Sequence, residues 1–286
     1  MPLSRRIILS PPHPDRWLNA VFIGAALVVA VLLLAIVGTT LQGTWPVLAE
    51  MRVALFSIDW RPTNGHFGML AMLVATLAVS LLALLLAAPL AVALAAWLNL
   101  YAPGFIKNPL RALYELLAGI PSVVYGLWGL VALVPLVNSL APPGASLITA
   151  ALVLALMILP YGLLLADSDF RQVPVAQKQA AVAAGLSPWG AFRCVYWPLS
   201  RAAIYRGMVL QFGRALGETM AVLMVAGNVV QLPDSLFAPV RTLTVNIALE
   251  MGYASGDHRA ALYLSGLILL VITLLVMALV RERGHS

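Results

Sequence analysis

Charge is scarce in this sequence. Only 10% of its 286 residues are Asp, Glu, Lys or Arg, against about 25% in a soluble domain. A chain so poor in charge and 62% hydrophobic cannot clothe a water-soluble globule in polar surface, and its mean hydropathy of +0.96 agrees. The lipid bilayer must stand in for most of the buried core. Cysteine is nearly absent: Cys194 stands alone, which excludes an intrachain disulfide and a cysteine-based zinc cluster. The histidines are few and scattered, at His13, His66, His258 and His285, with no metal-ligand spacing. No G-x-x-x-x-G-K-[ST] occurs, so the chain has no nucleotide-cradling loop of that type. An acyl or phosphoryl transferase working inside the membrane would need a nucleophile–base pair or metal ligands at depth, and no His falls in any long apolar stretch.

What is present is a series of apolar runs. The expectation is a polar tail over 1–17, then a first span over 18–40 with no charge in its apolar run. A cleaved signal peptide is the rival reading; the long run and the poor cleavage site Gly38-Thr39-Thr40 favour a retained helix. Residues 41–67 read as an external loop. Further spans are expected over 68–99, 113–137, 146–165, 203–227 and 262–280, with Pro89 kinking the second. Residues 229–259 read as a second external loop, with His66 and His258 as surface residues of the two loops. Trp17, Trp97 and Trp128 suit interfacial anchoring, and Glu115 an interfacial position.

Lys and Arg are asymmetric. Twelve fall in the tail, the 101–111 loop, the 167–206 loop and the C-terminus, four in the opposite loops, and Arg214 is left within an apolar stretch. This split expects both termini inside the cell. It also makes membrane lipid, and no nucleic acid, the partner implied by the net charge of +6.

The stretch QFGRALGETMAVLMVAGN, residues 211–228, concentrates the polar signal. Read as one helix over 203–227, it puts Gly207, Gln211, Arg214 and Glu218 within about 60° of one another, with Arg214 near mid-membrane. A charge there costs about 2.5–3.5 kcal/mol, so it needs a partner and marks a candidate site. A guanidinium binds oxyanions through a planar fork. Two readings stay open: an anion site in a translocation cavity with Glu218 screening Arg214 between cycles, or a structural ion pair. Beside that face, Gly213, Gly217 and Ala221 form a small-residue ridge suited to a close helix approach, either at a subunit seam or within the chain. Gly119-Ile120-Pro121-Ser122 reads as a proline kink in the third span, with a broken helix baring backbone N–H groups as the alternative.

Residues 174–198 predict helix, glycine turn, helix. Pro174 suits a first helical position, Gly185 a C-terminus, and Ser187-Pro188 the start of a second short helix ending before Pro198. Gln179-Ala180-Ala181, three residues, Gly185, nine residues, then Val195-Tyr196-Trp197-Pro198 resembles the EAA loop of ABC importer permeases. Gln replaces the Glu, Val the Ile and Trp the Leu of that pattern.

LLAGIPSVVYGLWGL at 116–130, GRALGETMAVLMVAGN at 213–228 and FSIDWRPTNGHFG at 56–68 resemble the PstC-type permeases of phosphate ABC importers. The resemblance implies an all-α membrane protein of six transmembrane helices with the type I importer permease fold, over 68–283. Residues 41–67 would then be periplasmic, and 170–200 a cytoplasmic coupling loop whose Gln179, Ala180, Ala181 and Gly185 meet an ATPase. It implies a PstA-type second permease, a PstB-type ATPase dimer and a PstS-type periplasmic phosphate-binding protein. ATP and Mg would be used by the ATPase, with no cofactor in this chain and no bond chemistry. Inorganic phosphate entering across the inner membrane by alternating access is the implied cargo and mechanism. The alternatives are another oxyanion such as sulfate, molybdate or phosphonate on the same fold, or a carrier working alone.

Overall fold

The computed structural model describes residues 15–50 and 57–282. Most of the expected polar tail, the stretch 51–56, and Arg283 and His285 lie outside the described residues. α1 (Asp15–Glu50) outruns the expected first span. It continues into the expected loop because its far end finds packing: Thr44 and Val47 are buried. A side chain at Gly43 would overlap the Tyr263 ring at 2.5 Å, so this glycine lets α1 lie tight against the last helix.

The chain returns through the described region's one paired hairpin, β1 (Trp60–Arg61) with β2 (His66–Phe67), in register Trp60↔Phe67. Gly65 closes its turn at φ +74, a left-handed geometry that glycine adopts without a Cβ clash. α2 (Leu70–Leu100) then carries buried residues at every fourth position: Ala71, Ala75, Val79, Ala83, Ala87, Ala91 and Ala95. Small side chains on one i, i+4 row let a neighbouring backbone approach closely, and the neighbour is α6, described below. Pro89 sits inside α2 without ending it.

The expected third span over 113–137 is broken in two. α3 (Gly104–Ala118) is amphipathic and buries Tyr114. α4 (Ser122–Trp128) starts afresh after Pro121, whose ψ of 140 is extended. The helix therefore breaks at 119–121 instead of kinking; Pro121 has no N–H to continue the ladder and pushes Ile120 out of the helical region. After α4 comes a wider π turn at Gly129–Leu133, then α5 (Val134–Leu140). α6 (Leu147–Arg171) opens on Ser146, whose Oγ accepts from the Thr149 N–H, and runs past the expected end at 165.

α7 (Val175–Ala183) and α8 (Pro188–Ala191) follow. A second π turn at Phe192–Tyr196 joins α8 to α9 (Trp197–Leu216) without interruption. The short helix thus does not end before Pro198. Both π turns stop two residues before a proline, Pro135 and Pro198; widening the turn accommodates the ring and the missing N–H. α9 ends at Leu216 and α10 (Met220–Val225) resumes after Gly217–Thr219. The expected external loop at 229–259 is largely folded back. The Val240 and Asn228 N–H groups donate to the Ala226 and Val240 carbonyls, and α11 (Leu243–Glu250) is buried along one side. α12 (Gly256–Glu282) closes the described chain.

Among the described residues, five helical stretches are long and apolar enough to cross a membrane: 17–45, 70–100, 122–140, 147–171 and 256–278. The fifth expected span, 203–227, is the broken pair α9 and α10, between α6 and α12. The main core gathers α2, α6 and α10 around Ala83, Leu154, Ile158 and Val222.

Candidate functional site

The break between α9 and α10 rearranges the residues expected on one helical face. Gly207, Gln211 and Arg214 do share a side of α9, and that side lies on α6. A Cβ at Gly207 would touch Leu165, Gln211 fills the space over Gly162, and the Arg214 guanidinium stands 5.8 Å from the Tyr161 ring centre. Gln211 is 3% exposed and its Oε1 has no hydrogen-bond partner among the described residues. Arg214 is exposed at the open end of this row.

Glu218 leaves the row. Gly217 caps α9, and the Glu218 Oε1 accepts from the Ala221 N–H at 3.2 Å, holding one of the free donors at the start of α10. Its backbone carbonyl accepts from the Thr244 hydroxyl at 3.0 Å, tying the break to α11. No ion pair joins Arg214 to Glu218 among the described residues. The continuous helix that would have set them face to face does not exist, because the chain turns at 217–219.

The small-residue ridge divides in the same way. A Cβ at Gly213 would meet the Met277 Cε at 2.6 Å, so Gly213 faces α12 of the same chain. Ala221 is fully buried, and a Cβ at Gly126 would come within 2.9 Å of its Cα. α10 and α4 therefore touch backbone to backbone. Gly217 is exposed and meets only its own helix. Irregular backbone at membrane depth occurs where it is buried in protein or lines a wet cavity. The break at 217–219 leaves Arg214 exposed beside it.

The 174–198 stretch has the expected helix–glycine–helix shape. Pro174 is the residue before α7, with extended ψ, one position earlier than expected. The Leu186 N–H bonds the Ala181 carbonyl and the Gly185 N–H the Val182 carbonyl, with Gly185 at φ +66. This is a Schellman cap, which calls for glycine at the left-handed position. Ser187 Oγ then accepts from the Gly190 N–H at 3.1 Å, opening α8. Gln179, Ala180 and Gly185 are exposed, and Ala181 is buried. Val175, Val182 and Trp189 each expose more than half of their surface. Apolar side chains held out on a rigid cap are suited to a protein partner.

Two polar clusters had no counterpart in the sequence reading. At the end of the bundle beside the 174–198 stretch, Asp167 of α6 is fully buried. Its carboxylate accepts from Arg111 Nε at 2.9 Å and from the other Arg111 donor at 3.0 Å, from Tyr114 Oη at 2.7 Å and from Asn99 Nδ2 at 2.7 Å. Arg171 approaches at 3.4 Å. The hydrogen bond to Asp167 holds the Arg111 guanidinium above its ordinary range, and burial followed by the same carboxylate raises the Tyr114 hydroxyl. Both stay donors at any physiological pH. The cluster pins α2, α3 and α6 together. It also reaches the 174–198 stretch: Lys178 Nζ donates to the Arg171 carbonyl at 3.1 Å and lies over the Tyr196 ring, which packs edge-on against Phe170.

Beside the hairpin, Glu250 of α11 accepts from Trp60 Nε1 at 3.0 Å and Arg241 at 2.7 Å, and meets His258 Nε2 at 2.8 Å. His258 is therefore not the surface residue expected; its ring stacks on Phe67 and its side chain is 14% exposed. His66 is exposed and pairs with Asp59.

The family model for the binding-protein-dependent transport system inner membrane component matches residues 87–281. The phosphate transport system permease protein PstC of Mesorhizobium japonicum is 37% identical, over 93% of this chain and 89% of that protein. The protein of the same name in Pasteurella multocida is 36% identical, over 90% and 87%. Among solved structures, a chain of a bacterial alginate ABC transporter superposes with a TM-score of 0.59 at 13% identity, covering 94% of this chain and 96% of that one. A chain of the inward-facing MetNI methionine ABC transporter gives 0.56 at 16%, covering 73% and 93%. These two likenesses establish the ABC importer permease fold. With a family model spanning most of the sequence and relatives aligned almost end to end, this chain belongs to the binding-protein-dependent transport system inner membrane components, multi-pass membrane subunits of ABC transporters.

Proposed function

We propose that this chain is the permease subunit of an ATP-driven importer that carries inorganic phosphate across the inner membrane. The observation that carries the cargo is the near full-length similarity to proteins named phosphate transport system permease protein. The site agrees with an anion. Arg214 is exposed beside the break in the fifth span, next to Tyr161 and with no carboxylate bound to it among the described residues. In this reading phosphate meets Arg214 as it moves between the two sides, with Gln211 behind it. Glu218 fixes the start of α10 and keeps a negative charge nearby, which speeds release of an anion.

The partners in this reading are a PstA-type permease, a PstB-type ATPase dimer that uses the ATP and Mg, and a PstS-type periplasmic protein that delivers phosphate. The exposed apolar side chains of α7 and α8, with Gln179, Ala180 and the Gly185 cap, are the surface offered to the ATPase. Closure of the ATPase would pull on α7, and through Lys178 and Arg171 on the end of α6. Both termini lie in the cytoplasm by the Lys and Arg asymmetry.

Radiolabelled phosphate uptake tests the cargo, in cells lacking this gene but keeping the partner subunits. Wild-type chain restores uptake, and excess sulfate, molybdate or phosphonate leaves it unchanged. Restored transport that one of those anions abolishes would move the assignment to that oxyanion. No restoration at normal membrane level would overturn the phosphate reading.

A further inference from the structure

Two hollows on the outside of the bundle meet along α9. The first is an apolar groove of about 620 Å³ between α2 and the α8–α9 stretch; Leu85, Pro89, Trp97, Trp189, Trp197 and Met208 are among the residues that line it. The second, of about 570 Å³, shares Trp197 and Met208 with the first and adds Ile204, Arg201 and Arg206. An apolar trough thus opens directly onto a basic one. Trp97, Trp189 and Trp197, all exposed, line the same groove, and exposed tryptophan is the residue type enriched at membrane interfaces. Arg201 is exposed and has no partner among the described residues. Arg206 stands within electrostatic reach of Asp169, which offsets part of its charge.

We propose that the pair of hollows is a binding site for an anionic phospholipid, with an acyl chain lying along α2 and the phosphate against Arg201. The chemistry of the two parts specifies this ligand. The groove along α2 is far too apolar to hold a free anion. A bare apolar contact with another helix would leave the guanidinium of Arg201 unmatched. A molecule with a hydrocarbon tail and an anionic head satisfies both, and basic hollows between membrane helices bind such headgroups. The site lies on α8 and α9, which lead directly from the 174–198 stretch to Arg214. An occupied site would brace the segment through which that stretch moves α9.

The test uses the transporter purified with its partner subunits and probes it with phosphatidylglycerol and phosphatidylcholine, followed by native mass spectrometry. Wild type retains phosphatidylglycerol over phosphatidylcholine. Arg201→Gln lowers phosphatidylglycerol retention about fivefold, Arg201→Lys largely preserves it, and Leu85→Trp, which fills the groove, weakens both lipids. Equal phosphatidylglycerol retention by wild type and Arg201→Gln would overturn the proposal. A photoreactive residue at position 85 in the otherwise unaltered complex gives a second readout. A lipid adduct supports the site; an adduct with the second permease or another polypeptide shows a protein face and contradicts it.

Discussion

The Tyr114 hydroxyl donates a 2.7 Å hydrogen bond to the Asp167 carboxylate, joining an amphipathic helix to the buried end of a membrane helix. Asp167 has no exposed surface and holds Arg111 and Asn99 as well. A buried carboxylate with several charged or polar partners fixes geometry, because removing one side leaves the others unmatched.

Tyr114→Phe removes one hydrogen bond to an ionised group, a loss of about 1.5–3 kcal/mol. The purified complex is expected to melt several degrees lower while retaining uptake. Asp167→Ala strands Arg111 and costs about 3–5 kcal/mol, so its membrane level falls. An unchanged melting temperature for both variants would mean the cluster does not hold these helices.

Ala83→Leu tests the α2–α6 seam. Ala83 is fully buried in a row of small residues, and added methylenes in a packed interior cost about 1–3 kcal/mol. Leu81→Ala, on the exposed side of the same helix, is expected to be near neutral. Thermal unfolding of the two variants separates packing from composition.

Gly185→Val places a β-branched residue at φ +66, where the left-handed backbone costs about 1–2 kcal/mol even for simpler side chains. Asn is better tolerated there. The prediction is reduced phosphate-stimulated ATP hydrolysis by the assembled transporter for Gly185→Val and near-normal hydrolysis for Gly185→Asn. Equal activity would show that the cap does not position α7.

Glu218→Ala removes the acceptor of the Ala221 N–H at the start of α10. Loss of a helix N-terminal acceptor costs about 0.5–2 kcal/mol. Because Glu218 does not pair with Arg214, exchanging the two charges should not restore function lost on changing Glu218. Rescue by Arg214→Glu with Glu218→Arg would restore the ion-pair reading.

The elements legible in the sequence were those set by local chemistry. The runs at 70–100, 147–171 and 256–278 announce themselves by length and apolarity, and Gly185 and Ser187 by their cap preferences. The break at 217–219 was hidden because apolar residues continue on both sides, so a single 100° period fitted the whole stretch. Gly217 also reads equally well as a packing glycine. The polar clusters were hidden by distance: Asp167 meets partners 53 to 68 positions away, and Trp60 reaches Glu250 across 190. Neither spacing nor periodicity carries such pairings; only the packing of α2, α3 and α6, or of the hairpin on α11, brings them together. An Asp near the end of an otherwise apolar helix was the available signal, and it read as a loop residue.

The most direct measurement is phosphate uptake by the reassembled transporter in vesicles, with ATP hydrolysis followed in parallel, for wild type, Arg214→Lys and Arg214→Ala. Loss of uptake in Arg214→Ala at normal assembly, with partial uptake in Arg214→Lys, is the predicted result. Full uptake by Arg214→Ala would contradict a role for Arg214 in the path of the anion.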